Sequence, residues 1–194
     1  MNIENLKHFI FDKLSAELSP QLTYHGIHHT KNVYSNCKKY IVRMNISDYD
    51  AYLLLTAALM HDTGFLFAYD DHENHSMKYA SSTLPDWNYR PEEIERISGM
   101  IRATKIPQLP TNVLEQIIGD SDLDYLGTDS FYEISETLYQ ELKAYNKIST
   151  KEEWDSLQVK LLQNHQFHTP FAQKYREPVK QKHLKDIVNK WGWY

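Results

Sequence analysis

The chain has 194 residues, 41% hydrophobic and 24% charged, with a formal charge of -5. That length and balance suit an ordinary globular protein with a sizeable core, and the electrostatic footprint of a general nucleic-acid binder is absent. Aromatics are 13%, including 14 Tyr, while Gly is only 6 and Pro only 7, so long helices with few hairpins are expected. Cys37 is the single cysteine, which excludes an intrachain disulfide and a Cys-built zinc site. It is expected to be a small buried hydrophobe. The segment Met1–Lys7 has no apolar core of a secretory signal, and the longest apolar run is near ten residues, against the roughly 20 that span a bilayer. A cytoplasmic protein without membrane contact is expected.

In chain order, a first helix is predicted from about Ile3 to Leu18, stopped near Pro20. The next, about 26–45, places Val33, Cys37, Tyr40, Ile41 and Met44 on one stripe. Ser47 and Asp50 resemble a capping box opening a helix over about 48–60, apolar nearly all round and therefore central. Residues 63–71 read as a loop, followed by a helix over about 72–84 that ends before Pro85. Pro91-Glu92-Glu93 starts another, with Ile94, Ile97 and Ile101 as its apolar stripe. Pro107 and Pro110 break the chain. Helices follow from about Thr111 toward Leu126-Gly127 and over about 131–145. Ser149 and Glu152 suggest a capping box for a helix carrying Trp154, Leu157, Leu161 and Leu162, and a last helix covers about 178–191. No segment alternates as a strand, so the fold class is all-α. With no repeat or linker, residues 1–194 form a single domain in this reading.

Six of the ten histidines fall between His25 and His75. The densest cluster is Tyr24-His25-Gly26-Ile27-His28-His29. His29 lies four residues before Val33 and eight before Cys37, on the apolar stripe; His25 is a turn earlier, and His28 is rotated about 100° toward solvent. His61-Asp62 closes the apolar run Ala51–Met60. A bare buried carboxylate costs several kcal/mol, so Asp62 needs a counter-charge, and a helix C-terminus favours a cation. Downstream, Gly119-Asp120-Ser121-Asp122-Leu123-Asp124 brings carboxylates to a helix end. Asp122 and Asp124 sit at opposite edges of the apolar face, and helical phase does not choose between them. His72 and His75 are spaced i, i+3, with His72 nearer the inner face. Lys105 follows Ile101 by four and is expected to share its buried stripe, within reach of a phosphate. Arg102 is expected to be exposed. His165, four residues after Leu161, is expected in the core or covering the site from the C-terminal part, and Trp154, Trp191 and Trp193 in the core or at an interface.

A His from one helix, His-Asp from a second and Asp from a distant third resemble the HD superfamily of metal-dependent phosphohydrolases, over about residues 20–130. The spacing Tyr24-His25-x-x-x-His29-x-x-x-Val33 also resembles cyclic-nucleotide phosphodiesterases, distant members of that group. The resemblance implies an HD-domain helical bundle, with a C-terminal helical extension over about 131–194. It implies His29, His61, Asp62 and Asp122 as ligands of one divalent cation per chain, the second Asp of Asp-Ser-Asp being the ligand in the family's segment. Imidazoles with carboxylates suit Mn, Fe, Co, Ni or Zn, with Mg also admitted. Binuclear members carry a further histidine in the region of Ile101–Lys105, where this chain has none.

The same resemblance implies hydrolysis of a phosphomonoester or phosphodiester of a small, nucleotide-type substrate. Asp62 would take the proton of the attacking water, His25 or His72 would protonate the leaving oxygen, and Lys105 would hold the phosphate. A homodimer is compatible with this reading. A non-catalytic metal- and nucleotide-binding sensor, a di-iron oxygenase of HD type and a helical protein whose histidines merely pack are the alternatives.

Overall fold

The helix Asp48–Met60 (α3) explains the arrangement around it. Leu53, Leu54, Ala57, Ala58, Leu59 and Met60 are all fully buried, as is Thr56. Each large side chain so enclosed contributes roughly 1.5–3 kcal/mol of burial. Ser47 opens α3 by accepting a hydrogen bond from Asp50 N at 3.2 Å, as its sequence predicts.

The structure is a computed structural model that describes residues 3–193. Among these it contains ten α-helices, three short 3-10 helices and no strand, so the chain is all-α. It divides into two compact units: residues up to Pro20 with His25–Asp122, and Gln21–Tyr24 with Leu123 onward.

In the first unit, α3 packs against α1 (Ile3–Glu17), α2 (Ile27–Met44), α4 (His72–Thr83), α5 (Pro91–Arg102) and α6 (Val113–Asp122). The stripe Val33, Cys37 and Tyr40 of α2 is buried, as are Ile97 and Ile101 of α5 and Leu114, Ile117 and Ile118 of α6. Asn45, in the left-handed region at φ 51°, ends α2. The stretch predicted as a loop after the His-Asp dyad instead begins with a 3-10 turn, Thr63–Leu66. Thr63 Oγ1 donates to Met60 O at 2.8 Å and Gly64 N donates to Ser76 Oγ at 2.7 Å, which ties the turn to both neighbouring helices.

The second unit contains α7 (Phe131–Ala144), α8 (Lys151–Asn164), α9 (Pro170–Tyr175) and α10 (Glu177–Trp191). Gln21–Tyr24 joins it: Thr23 Oγ1 donates to Thr137 O at 2.7 Å, and Tyr24 N donates to Glu141 Oε2 at 2.8 Å. The cap of α8 is Thr150 with Glu153, one residue later than the expected Ser149 and Glu152. Thr150 is extended and accepts from Glu153 N, while Ser149 N donates to the Glu153 carboxylate. The single helix expected from Thr111 to Gly127 is two pieces, α6 and a 3-10 turn, Asp124–Gly127. The short α9 was not predicted; Thr169 caps it and Pro170 occupies its first position.

Candidate metal centre

Three elements of the first unit bring the key side chains together. His29 rises from the first turns of α2, His61 caps the C-terminus of α3, and Asp122 ends α6. His29 Nε2 lies 2.9 Å from Asp122 Oδ1 and 3.4 Å from His61 Nε2, and His61 Nε2 lies 3.7 Å from Asp122 Oδ1. Metal–ligand bonds near 2.1 Å give ligand–ligand edges of about 3.0–3.4 Å in octahedral or tetrahedral geometry. The triad therefore has the spacing of a coordination shell, and it is the group among the described residues that can hold an ion.

Asp62 stands beside the triad. Its Oδ2 lies 3.3 Å from His61 Nε2 and 3.4 Å from His29 Nε2, yet it is buried and makes no well-formed hydrogen bond. An unsatisfied buried carboxylate oxygen next to two imidazole nitrogens is a donor set that a divalent cation fits. His61 Nδ1 contacts Ala58 O at 3.0 Å; since a carbonyl only accepts, Nδ1 carries a proton and the bare nitrogen of the neutral ring is Nε2. Burial opposes charging of the ring, but Asp62 and Asp122 outweigh it and raise the His61 pKa to about 9 in the metal-free protein. Burial likewise works against Asp62 ionisation; His61, His29 and His25 overcome it and hold the carboxyl well below the ordinary range. The cluster is thus an anionic site that recruits positive charge.

His72 extends the site. Its Nε2 lies 3.6 Å from Asp62 Oδ1 and 3.6 Å from Glu73 Oε1. The ring of Phe65 stacks on His72 with centroids 4.0 Å apart and on His25 at 4.3 Å. Phe65, in the segment expected to be a loop, carries the two outer histidines and was missed by sequence reasoning, as was the buried Glu73. The signal available was Gly64. A Cβ there would lie 1.9 Å from His72 O, so only glycine lets the 3-10 turn approach the start of α4 this closely.

Lys105 corrects an expectation. It is exposed, not on a buried stripe, because α5 ends at Arg102 and helical phase no longer applies three residues later. Its Nζ donates to Asp71 Oδ1 at 2.8 Å, beside the N-terminus of α4. Arg102 is exposed and His28 is exposed, as predicted. His75 stacks against Phe67, with centroids 6.4 Å apart. The alternatives left open by helical phase are separated by geometry: Asp122 faces His29, whereas Asp124, in the second unit, receives two bonds from Arg176, Nε at 2.7 Å and Nη2 at 3.0 Å. His165 and Trp154 are buried in the second unit.

Residues 19–104 match the HD-CE family model. The fold is similar to the crystal structure of a predicted HD superfamily hydrolase from an uncultured Thermotogales bacterium, with a TM-score of 0.61 and 20% identity over 98% of this chain and 99% of that one. No curated protein matches the chain. The match covers the part of the chain that carries His29, His61 and Asp62, and the likeness to the Thermotogales protein is one of fold. No helix among the described residues is long and apolar enough to cross a membrane.

Proposed function

We propose that this chain is a metal-dependent phosphohydrolase acting on a small phosphomonoester or phosphodiester of nucleotide type. The observation that carries the reading is the triad His29, His61 and Asp122, spaced as ligands of one ion. Asp62, through the oxygen that lacks a protein partner, completes the ligand set in this proposal. The predicted-hydrolase description of the Thermotogales protein agrees with it.

A divalent cation in this set supplies Lewis acidity, lowering the pKa of water and drawing charge from phosphoryl oxygens. The protein's own groups do the rest. Asp62 is ionised throughout the physiological range, so it accepts a hydrogen bond from the attacking water and orients it. His72, which lies beside Asp62 and against Phe65, gives a proton to the leaving oxygen in this proposal. His25, on the same phenyl ring, lines the approach. Lys105 exchanges Asp71 for a substrate phosphate, a change that its exposure permits. Water and phosphate reach the site from the side of His72, which is about one-fifth exposed, while His61 is fully enclosed.

The test is phosphate release from a panel of nucleotides and simple phosphate esters by metal-loaded protein, beside H61A and D122A variants. Turnover that disappears in both variants while the helical content persists supports the reading. Equal turnover in all three proteins would refute it.

A further inference from the structure

Glu73 stands in the first turn of α4, directly after His72, and is about nine-tenths buried. Acidic side chains suit a first turn because the helix dipole is positive there, and that role needs no burial. The first-turn carboxylates of α5 and α8 either stay exposed, as Glu92 and Glu152 do, or bond the N-terminal backbone. Glu93 accepts from Arg90 N at 2.8 Å and Glu153 from Thr150 N at 3.2 Å. Glu73 does neither. Its ion-pair contact is His72 Nε2, 3.6 Å from Oε1 and too distant for a hydrogen bond. Lys105 feels its charge but donates to Asp71. A carboxylate so enclosed is costly to leave without a donor. Its side chain is not sealed, since 11% of its surface stays open.

This position ties Glu73 to the chemistry proposed above. His72 Nε2 is also 3.6 Å from Asp62 Oδ1, so one ring nitrogen faces both carboxylates. Phe65 stacks on the His72 ring, and the close approach of Gly64 fixes the start of α4. A leaving oxygen that takes its proton from His72 therefore brings the next atoms of the substrate toward Glu73. A carboxylate only accepts, so the group that satisfies it is a donor. A second cation fits less well. Among the described residues the side chains that converge closely enough to hold an ion are His29, His61 and Asp122, and Glu73 is not one of them.

We infer that Glu73 is a specificity residue that accepts a hydrogen bond from a hydroxyl of the leaving alcohol, one or two carbons from the ester oxygen. The substrate class is then a phosphate ester of ribose or another polyol. This inference rests on the phosphohydrolase reading and deepens it. Carboxylates bind ribose hydroxyls in the same way in dinucleotide sites. A deoxy analogue leaves the buried carboxylate unpaired, and sites built to bond a hydroxyl reject such analogues strongly.

The test compares phosphate release by metal-loaded protein from matched esters: glycerol 1-phosphate beside propyl phosphate, and adenosine 5′-monophosphate beside its 2′,3′-dideoxy analogue. In each pair the hydroxylated ester should have a kcat/KM higher by roughly tenfold or more. Glu73→Leu should abolish that preference by slowing the hydroxylated ester alone. Glu73→Gln, which keeps an acceptor oxygen, should retain most of it. Calorimetric titration with the same esters needs no turnover and should show the same order of affinity. The comparison within the native protein stands even where Glu73→Leu fails to fold. A hydroxyl preference in binding without phosphate release would refute the hydrolase reading while supporting the role of Glu73. Phosphate release with no preference within either pair, or a preference that survives Glu73→Leu, would overturn the inference and leave that reading intact. A second metal ion per chain that disappears in Glu73→Leu would also overturn it, by making Glu73 a ligand.

Discussion

His61 Nδ1 donates to the carbonyl of Ala58, 3.0 Å away in the last turn of α3. The bond joins the end of the most deeply buried helix to the chemistry of the site. It removes ring rotation and directs Nε2 toward His29, Asp62 and Asp122. In the metal-loaded protein His61 is therefore the Nδ1-protonated tautomer. Nitrogen-15 NMR of the loaded protein should show Nδ1 as the protonated nitrogen and Nε2 as the ligand. The reverse assignment would contradict the orientation described here.

The close approach at Gly64 predicts a substitution with effects on both stability and the site. Gly64→Ala places a methyl group 1.9 Å from His72 O and 2.8 Å from Ser76 N, both backbone atoms that cannot move cheaply. Overpacking of this kind costs on the order of 1–3 kcal/mol. Urea denaturation should show a loss of that size. Because the start of α4 must shift, phosphate release should fall further than metal content does.

Lys105 predicts the opposite combination. Its ion pair with Asp71 is exposed, and such pairs add little to stability. Lys105→Met should leave the urea midpoint unchanged while raising KM for a phosphorylated substrate several-fold, with kcat less affected. A large loss of stability would mean that the side chain is structural, and an unchanged KM would remove it from the substrate site.

Cys37 is fully buried, and burial pushes its thiol up to about 12 against an ordinary value of 9.0. In the native protein at pH 8–9 it should resist a thiol-directed reagent that labels the urea-unfolded chain at once. The unfolded chain ionises first as pH rises, so this group's contribution to stability is complete below about pH 9 and is lost as pH climbs toward 12. Rapid native-state labelling at pH 8 would contradict the burial.

Much of this architecture was legible because it is local. The apolar run Ala51–Met60 predicts a central helix, and Ser47 caps it where expected. The stripe through Val33 and Cys37 places His29 inward for the same reason. The rest depends on contacts distant in sequence. Phase left Asp122 and Asp124 equivalent, and they part because Arg176, 52 residues further on, holds Asp124. Extending the α5 stripe to Lys105 failed because the helix ends at Arg102. The stacking of His25 and His72 on Phe65 is set by a 3-10 turn with no periodic pattern to reveal it.

The central claim is tested most directly by metal content. Protein purified without chelator, or reloaded with Mn²⁺ or Ni²⁺, should carry about one transition-metal ion per chain, and an Asp122→Ala protein should carry almost none while remaining folded. Stoichiometric metal in both proteins would place the ion elsewhere. Absence of metal from the native protein even after loading would contradict the account of His29, His61 and Asp122 as a metal centre.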